Sequence, residues 1–230
     1  VLFTCPFVSA QSHKLADEYW NKAEELEKQG KYLEAAEMYV KAIGVEKASP
    51  NPRTELHAFA LNTIGYNYSM AGQYDKALKY YEEALAIDKR LGKEDKVAIR
   101  LNNIGQVYDS WGQYDKAMKN YEESLAIGKR LGQEGNVATR LNNIGQVYDS
   151  WGQYDNAIKN YEEALAIFKK LGQEASIAKV LNNIGSVYHD WGQYDKAIEY
   201  YEKALAIGKR LGSEAGVAIR LNNIGAVYHA

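Results

Sequence analysis

The stretch Leu141–Gly172, LNNIGQVYDSWGQYDNAIKNYEEALAIFKKLG, decides the fold. At the helical step of about 100° per residue, Leu141, Ile144, Gly145, Val147, Tyr148 and Trp151 share one arc, while Asn142, Asn143, Gln146, Asp149 and Ser150 fill the other. Gly152-Gln153 interrupts this pattern, and Asp155 then stands where a helix start favours a carboxylate. A second helix follows, expected to bury Ala157, Ile158, Tyr161, Ala164, Leu165 and Leu171. It stops at Gly172 behind Lys169 and Lys170, cations on the negative end of the helix dipole. Gly145 and Ala157 are small where two helices must cross closely. The stretch spells a helical hairpin.

The hairpin recurs every forty residues. Leu101–Asp115 repeats unchanged as Leu141–Asp155, Leu61–Asp75 and Leu181–Asp195 are looser copies, and Leu221 opens a fifth. A period of this size marks a stacked array, in which each unit buries its apolar face only against its neighbours. The expected organisation is an array over residues 61–230, with units 61–100, 101–140, 141–180, 181–220 and a partial 221–230. An atypical unit, 11–60, precedes it, and residues 1–10 are a separate apolar segment. A repeated surface of this kind suits binding rather than catalysis.

The run Leu-x-x-Ile-Gly-x-x-Tyr, the turn Gly-x-Tyr-x-x-Ala and the following Tyr-x-x-Ala resemble the tetratricopeptide repeat, from Ala16 to Ala230. The second helix runs on through Ala-Ile-Phe-Lys-Lys-Leu-Gly without a proline, a long form similar to the repeats of the Pins-type scaffold and of kinesin light chains. The resemblance implies an all-α fold, a right-handed superhelical solenoid of antiparallel hairpins. Nine or ten helices are expected, with no strand beyond an N-terminal arm.

In the first unit Tyr32, Ala35, Tyr39 and Ala42 fit the second-helix pattern. Its first helix, Ala16–Gln29, carries Lys22 where later copies have Ile, a charge too costly to bury and therefore expected to face water. Pro50 and Pro52 should end the following helix in an ordered kink. Val1–Ala10 fits either the tail of an export signal, with Val8-Ser9-Ala10 as its cleavage site, or an apolar strand-like arm. The first alternative places the protein outside the cytoplasm and the second inside. At the other end Leu221, Ile224, Val227 and Tyr228 form an apolar face expected to lack its covering helix. The chain is therefore expected to be a piece of a longer protein, and self-association through that face follows.

Composition excludes several functions. With 28 basic and 30 acidic residues mixed through every unit, no cationic stripe exists to follow a nucleic-acid backbone. No apolar run reaches the length of about 18 residues that spans a membrane. The single cysteine, Cys5, leaves the repeats without disulfides or thiolate metal sites. His189 and His229 stand in one row with Asp109 and Asp149, but stacked helices lie about 8–10 Å apart, too far for shared metal ligands. The pairs Glu82-Glu83, Glu122-Glu123 and Glu162-Glu163 belong to a solvated face beside lysines. Trp111, Trp151 and Trp191 suit packing between helices. No nucleophile, phosphate loop, metal or cofactor site is expected.

What remains is the polar side of the first helices. The resemblance assigns to it a concave peptide-binding wall: Asn62, Asn102, Asn142, Asn182 and Asn222, beside Asn103, Asn143, Asn183 and Asn223. Tyr66, Gln106, Gln146 and Ser186 follow one turn on, then Asp109, Asp149 and His189. A solvated amide both donates and accepts, so such a ladder could pair with a peptide backbone, the alternative being that Asn bridges adjacent repeats. Lys179 is the main cation on this wall, while Asp109, Asp149 and Asp190 make it mildly acidic. The expected partner is a neutral or basic peptide or helix. The expected function is a protein-interaction scaffold, or else the regulatory array of a kinase or caspase-like protease with its catalytic domain elsewhere.

Overall fold

The computed structural model describes residues 6–49 and 57–229; among them it holds eleven α-helices and no strand. These are α1 (Pro6–Lys28), α2 (Tyr32–Ala48), α3 (His57–Met70), α4 (Tyr74–Arg90), α5 (Glu94–Ser110), α6 (Tyr114–Arg130), α7 (Glu134–Ser150), α8 (Tyr154–Lys170), α9 (Glu174–Asp190), α10 (Tyr194–Arg210) and α11 (Glu214–Tyr228). The chain forms two compact units, Val1–Gln113 with α1–α5 and Tyr114–Ala230 with α6–α11. Within each, successive helices pack on one another, most extensively in the hairpins α1–α2, α3–α4, α7–α8 and α9–α10. The fold is that of an all-α helical-repeat array.

The helix count exceeds the sequence expectation, and the starts of the first helices explain it. Gly132-Gln133 stops α6 in the same way that Gly152-Gln153 stops α7, so α7 begins at Glu134 rather than at Leu141. By the same rule α11 begins at Glu214 and is nearly full length. A second correction concerns the N-terminus: from Pro6 onward the chain is helical and runs into α1, where a strand-like arm was an alternative. Pro50 and Pro52 lie outside the described residues. Lys22 is exposed, beside the fully buried Ala23.

Apart from the α2–α3 connection, which falls largely outside the described residues, each turn is closed by a glycine in the left-handed region. At Gly152 φ is 71°, its N–H donates to Asp149 O at 2.8 Å, and Gln153 N–H donates to Tyr148 O at 2.8 Å. This double closure satisfies carbonyls that a helix end leaves unpaired. Inside the hairpins another glycine does a different job. A Cβ on Gly145 would sit 2.8 Å from the ring of Tyr161, one on Gly65 2.9 Å from Tyr81, and one on Gly185 2.7 Å from Tyr201. In these three hairpins the buried tyrosine of the second helix thus lies against the bare backbone of the first. Gly225 in α11 has nothing within 4 Å of that position.

The core follows the sequence pattern with one exchange. Ala157, Tyr161, Ala164 and Leu165 are buried and Ile158 half-buried, but Leu171 is 40% exposed while Phe168 is 4% exposed. Leu171 caps the helix end, so its side chain leaves the buried arc that Phe168 completes. At the equivalent place in the first unit stands Asp88, whose carboxylate accepts from buried Arg100 Nε at 3.0 Å. The second unit uses Phe168 with Val180 there, and Arg140 bonded to Ser124 at 3.0 Å in the preceding copy.

Candidate functional site

In the second unit the first helices α7, α9 and α11 lie side by side, tied by asparagine side chains. Asn183 Nδ2 donates to Asn142 Oδ1 at 3.0 Å, and Asn223 Nδ2 to Asn182 Oδ1 at 2.9 Å. The first unit repeats the tie between α5 and α3, Asn103 Nδ2 donating to Asn62 Oδ1 at 2.8 Å. Asn142 also reaches Asn143 and Gln146, each at 3.4 Å. Asn142 and Asn143 are each 4% exposed and Asn102 is 8% exposed. These three are therefore not the solvated ladder expected from sequence. First helices approach so closely that the amides satisfy one another, as buried polar groups must.

The other expected residues stay more open. Tyr66, Gln106 and Asn222 are exposed, while Asn62, Asn103, Asn182, Asn183, Asn223, Gln146, Ser186, Asp109, Asp149 and His189 are half-buried. The structure brings together Asp149, Ser186, Asp190 and Tyr201: Ser186 shares a hydrogen bond with the Tyr201 phenol, and both aspartates face it. Burial and then the Asp190 charge push the Asp149 carboxyl up to about 6. Its Oδ1 is buried with no hydrogen-bond partner among the described residues. His189 Nδ1 lies 3.0 Å from Asp190 Oδ1. Burial also raises the Asp109 carboxyl. Among the described residues no group of three or more His, Cys, Asp or Glu is placed to hold a metal, and no helix is long and apolar enough to cross a membrane.

The tryptophans pack between repeats, yet only partly. Trp111 lies 5.9 Å from Tyr74, Trp151 6.0 Å from Tyr114 and Trp191 5.7 Å from Tyr154, centroid to centroid. All three remain more than a third exposed.

Sequence reasoning missed a cleft in the first unit. Its walls are Trp20, Glu24 and Glu27 of α1 and Phe59 and Tyr66 of α3, its floor is Tyr39 of α2, and it encloses about 580 Å³. The signal that could have revealed it is Asn67. It is fully buried, where the matching positions of later copies, Val107, Val147 and Val187, are valine.

The family profile described as soluble NSF attachment protein, SNAP, matches residues 48–211. The chain belongs to that family. A tetratricopeptide repeat profile matches residues 16–49, so the atypical first hairpin is a repeat of this kind too. No curated protein sequence matches. Among solved structures, BtubC (BKLC) from P. vanneervenii is 26% identical with a TM-score of 0.71, over 90% of this chain and 92% of that one. The TPR-like repeats assigned to a kinesin light chain of Podosopora anserina are 18% identical with a TM-score of 0.70, over 87% and 97%. The Rap conjugation gene regulator of plasmid pLS20, in complex with the Phr* peptide, is 18% identical with a TM-score of 0.74, over 88% of this chain. This chain spans only 55% of that regulator. The SNAP-family chain and these structures share the stacked-hairpin fold.

Proposed function

We propose that the protein is a non-catalytic interaction scaffold that binds a neutral to basic peptide or helix along its first-helix face. One observation carries the reading: the Asn142–Asn183 and Asn182–Asn223 bonds hold α7, α9 and α11 in register. Gln146 and Ser186, and beyond them Asp149 and His189, then recur at matching places on neighbouring helices. A row of this kind meets an extended ligand at regular intervals, and its carboxylates favour cationic over anionic partners. The Rap regulator's complex with a peptide supports the reading as a related use of the fold.

The asparagines act here mainly as ties, and the open polar groups beside them make the contacts. A peptide selected by display against the full chain tests this by calorimetric titration. Gln146→Ala with Ser186→Ala should weaken it by about one decade, each lost hydrogen bond contributing about 0.5–1.5 kcal/mol. Glu83→Gln, Glu123→Gln and Glu163→Gln on exposed second-helix positions should bind like wild type. The opposite pattern would move the binding surface to the second helices.

Self-association belongs to the same proposal. Of the four α11 residues expected to lack cover, Val227 is buried and Ile224 half-buried against α10, while Leu221 and Tyr228, on one side of α11, are 51% and 75% exposed, apolar surface of the kind that drives contact between copies. Light scattering should show mass rising with concentration, and Leu221→Glu should abolish the rise.

A further inference from the structure

We infer that the cleft between α1 and α3 is a subsite for a guanidinium group, an arginine side chain of the bound peptide; this rests on the scaffold reading and extends it. The cleft is lined by aromatic rings in mutual contact. Trp20 lies 4.6 Å from Tyr39 edge-on and 6.1 Å from Phe59 in a stacked arrangement, and Tyr32 meets Tyr66 at 6.4 Å. Phe59 is 56% and Tyr66 44% exposed, so ring faces remain open to a ligand. A cation placed over such faces is attracted by their quadrupoles, more strongly as water is excluded.

Two carboxylates complete the site, and the protein holds both in place. Glu27 accepts from Tyr39 Oη at 3.0 Å and from Asn67 Nδ2 at 3.0 Å, and Glu24 accepts from Trp20 Nε1 at 2.8 Å. All three donors are neutral, and neither carboxylate is ion-paired with a described residue; Lys28 also lines the cleft.

Asn67 is the telling residue. An amide buried where the four later copies place valine destabilises the core unless it is used; here its Nδ2 is spent on Glu27 and Thr63 O, while its Oδ1 is buried without a partner among the described residues. A carboxylate oriented by buried donors at the mouth of an aromatic cleft suits a planar cation with several N–H groups. Guanidinium meets that description better than ammonium, because it stacks on rings and bonds carboxylates through a flat fork.

The probe is the tripeptide acetyl-Gly-Arg-Gly-amide, titrated into the full chain while following the Trp20 indole N–H resonance, assigned with Trp20→Phe. The counterpart containing citrulline, a neutral isostere of arginine, is the control. The arginine peptide should shift the Trp20 resonance saturably, and citrulline should bind at least about tenfold more weakly. Glu27→Gln should weaken the arginine peptide by a similar factor. Phe59→Ala, at an exposed ring, should weaken it without lowering the melting temperature. Equal affinity for the two peptides, or an arginine effect confined to resonances of the second unit, would overturn the assignment. Should a display-selected peptide still bind the first helices in that event, the scaffold stands and the subsite alone fails. If instead Trp20 responds but no selected peptide touches the first helices, the subsite stands and the scaffold reading fails.

Discussion

The first-helix faces of the two units share a backbone and differ in what they carry. In the second unit α7, α9 and α11 are tied by amides, with Gln146 and Ser186 beside the ties. In the first, α1 and α3 face each other across Trp20, Phe59 and Tyr66, with Glu27 held by Asn67. The interior differs in parallel: Asp88 pairs with Arg100 where the second unit packs Phe168 with Val180. The hairpins hold a small residue against a buried tyrosine, glycine at Gly65, Gly145 and Gly185 and alanine at Ala23, and a left-handed glycine at the turn. Other positions change chemistry between the units.

The largest effect should come from breaking the buried pair. Asp88→Ala strands Arg100, 5% exposed, and should lower stability by about 3–5 kcal/mol in urea unfolding. Importing the second unit's solution, Asp88→Phe with Arg100→Val, should recover all of that loss. A double variant as unstable as the single one would show that the two units are not interchangeable there.

Next in size is the glycine contact. Gly145→Val drives a side chain into the buried Tyr161 ring and should cost about 1–3 kcal/mol by overpacking. Gly225→Val meets open space and should change the melting temperature little. Equal losses at both sites would mean that helix propensity, not the ring, sets the requirement.

Much of this was legible beforehand. Leu-x-x-Ile-Gly and Gly-Gln-Tyr-Asp announce the hairpin because they encode backbone requirements, a close crossing and a left-handed turn. The apolar period alone places the first-helix starts too late, because Gly132 turns the chain as Gly152 does and the helix begins right after it. The asparagine ties were not decided by periodicity, which says which face a residue occupies and not how near the next first helix comes. Asp88 hid beside Lys89 and Arg90 as one more surface charge. Asn67 was readable by setting the copies in register, but its partner Glu27 sits in the copy that departs most from the pattern.

Smaller effects separate the asparagines. Asn142→Ala, which removes a buried acceptor from Asn183, should cost about 1 kcal/mol. Asn222→Ala, at an exposed position, should be neutral within error. An Asn142→Ala protein as stable as wild type would return that residue to the solvated role read from sequence.

Asp149 gives the smallest and most condition-dependent signal. A carboxyl raised from 3.8 to about 6 contributes stability that is present at low pH and lost as pH rises through about 6. Asp149→Asn should therefore stabilise the protein at pH 7.5 by about 1 kcal/mol after allowing for solvent screening, and make little difference at pH 4. Thermal unfolding of both proteins at the two pH values decides it.

The most direct test of the scaffold reading is amide hydrogen exchange of the full chain with and without a saturating display-selected peptide. Added protection should fall on the first helices α7, α9 and α11. Protection confined to the second helices α8 and α10, with the first helices unchanged, would contradict it.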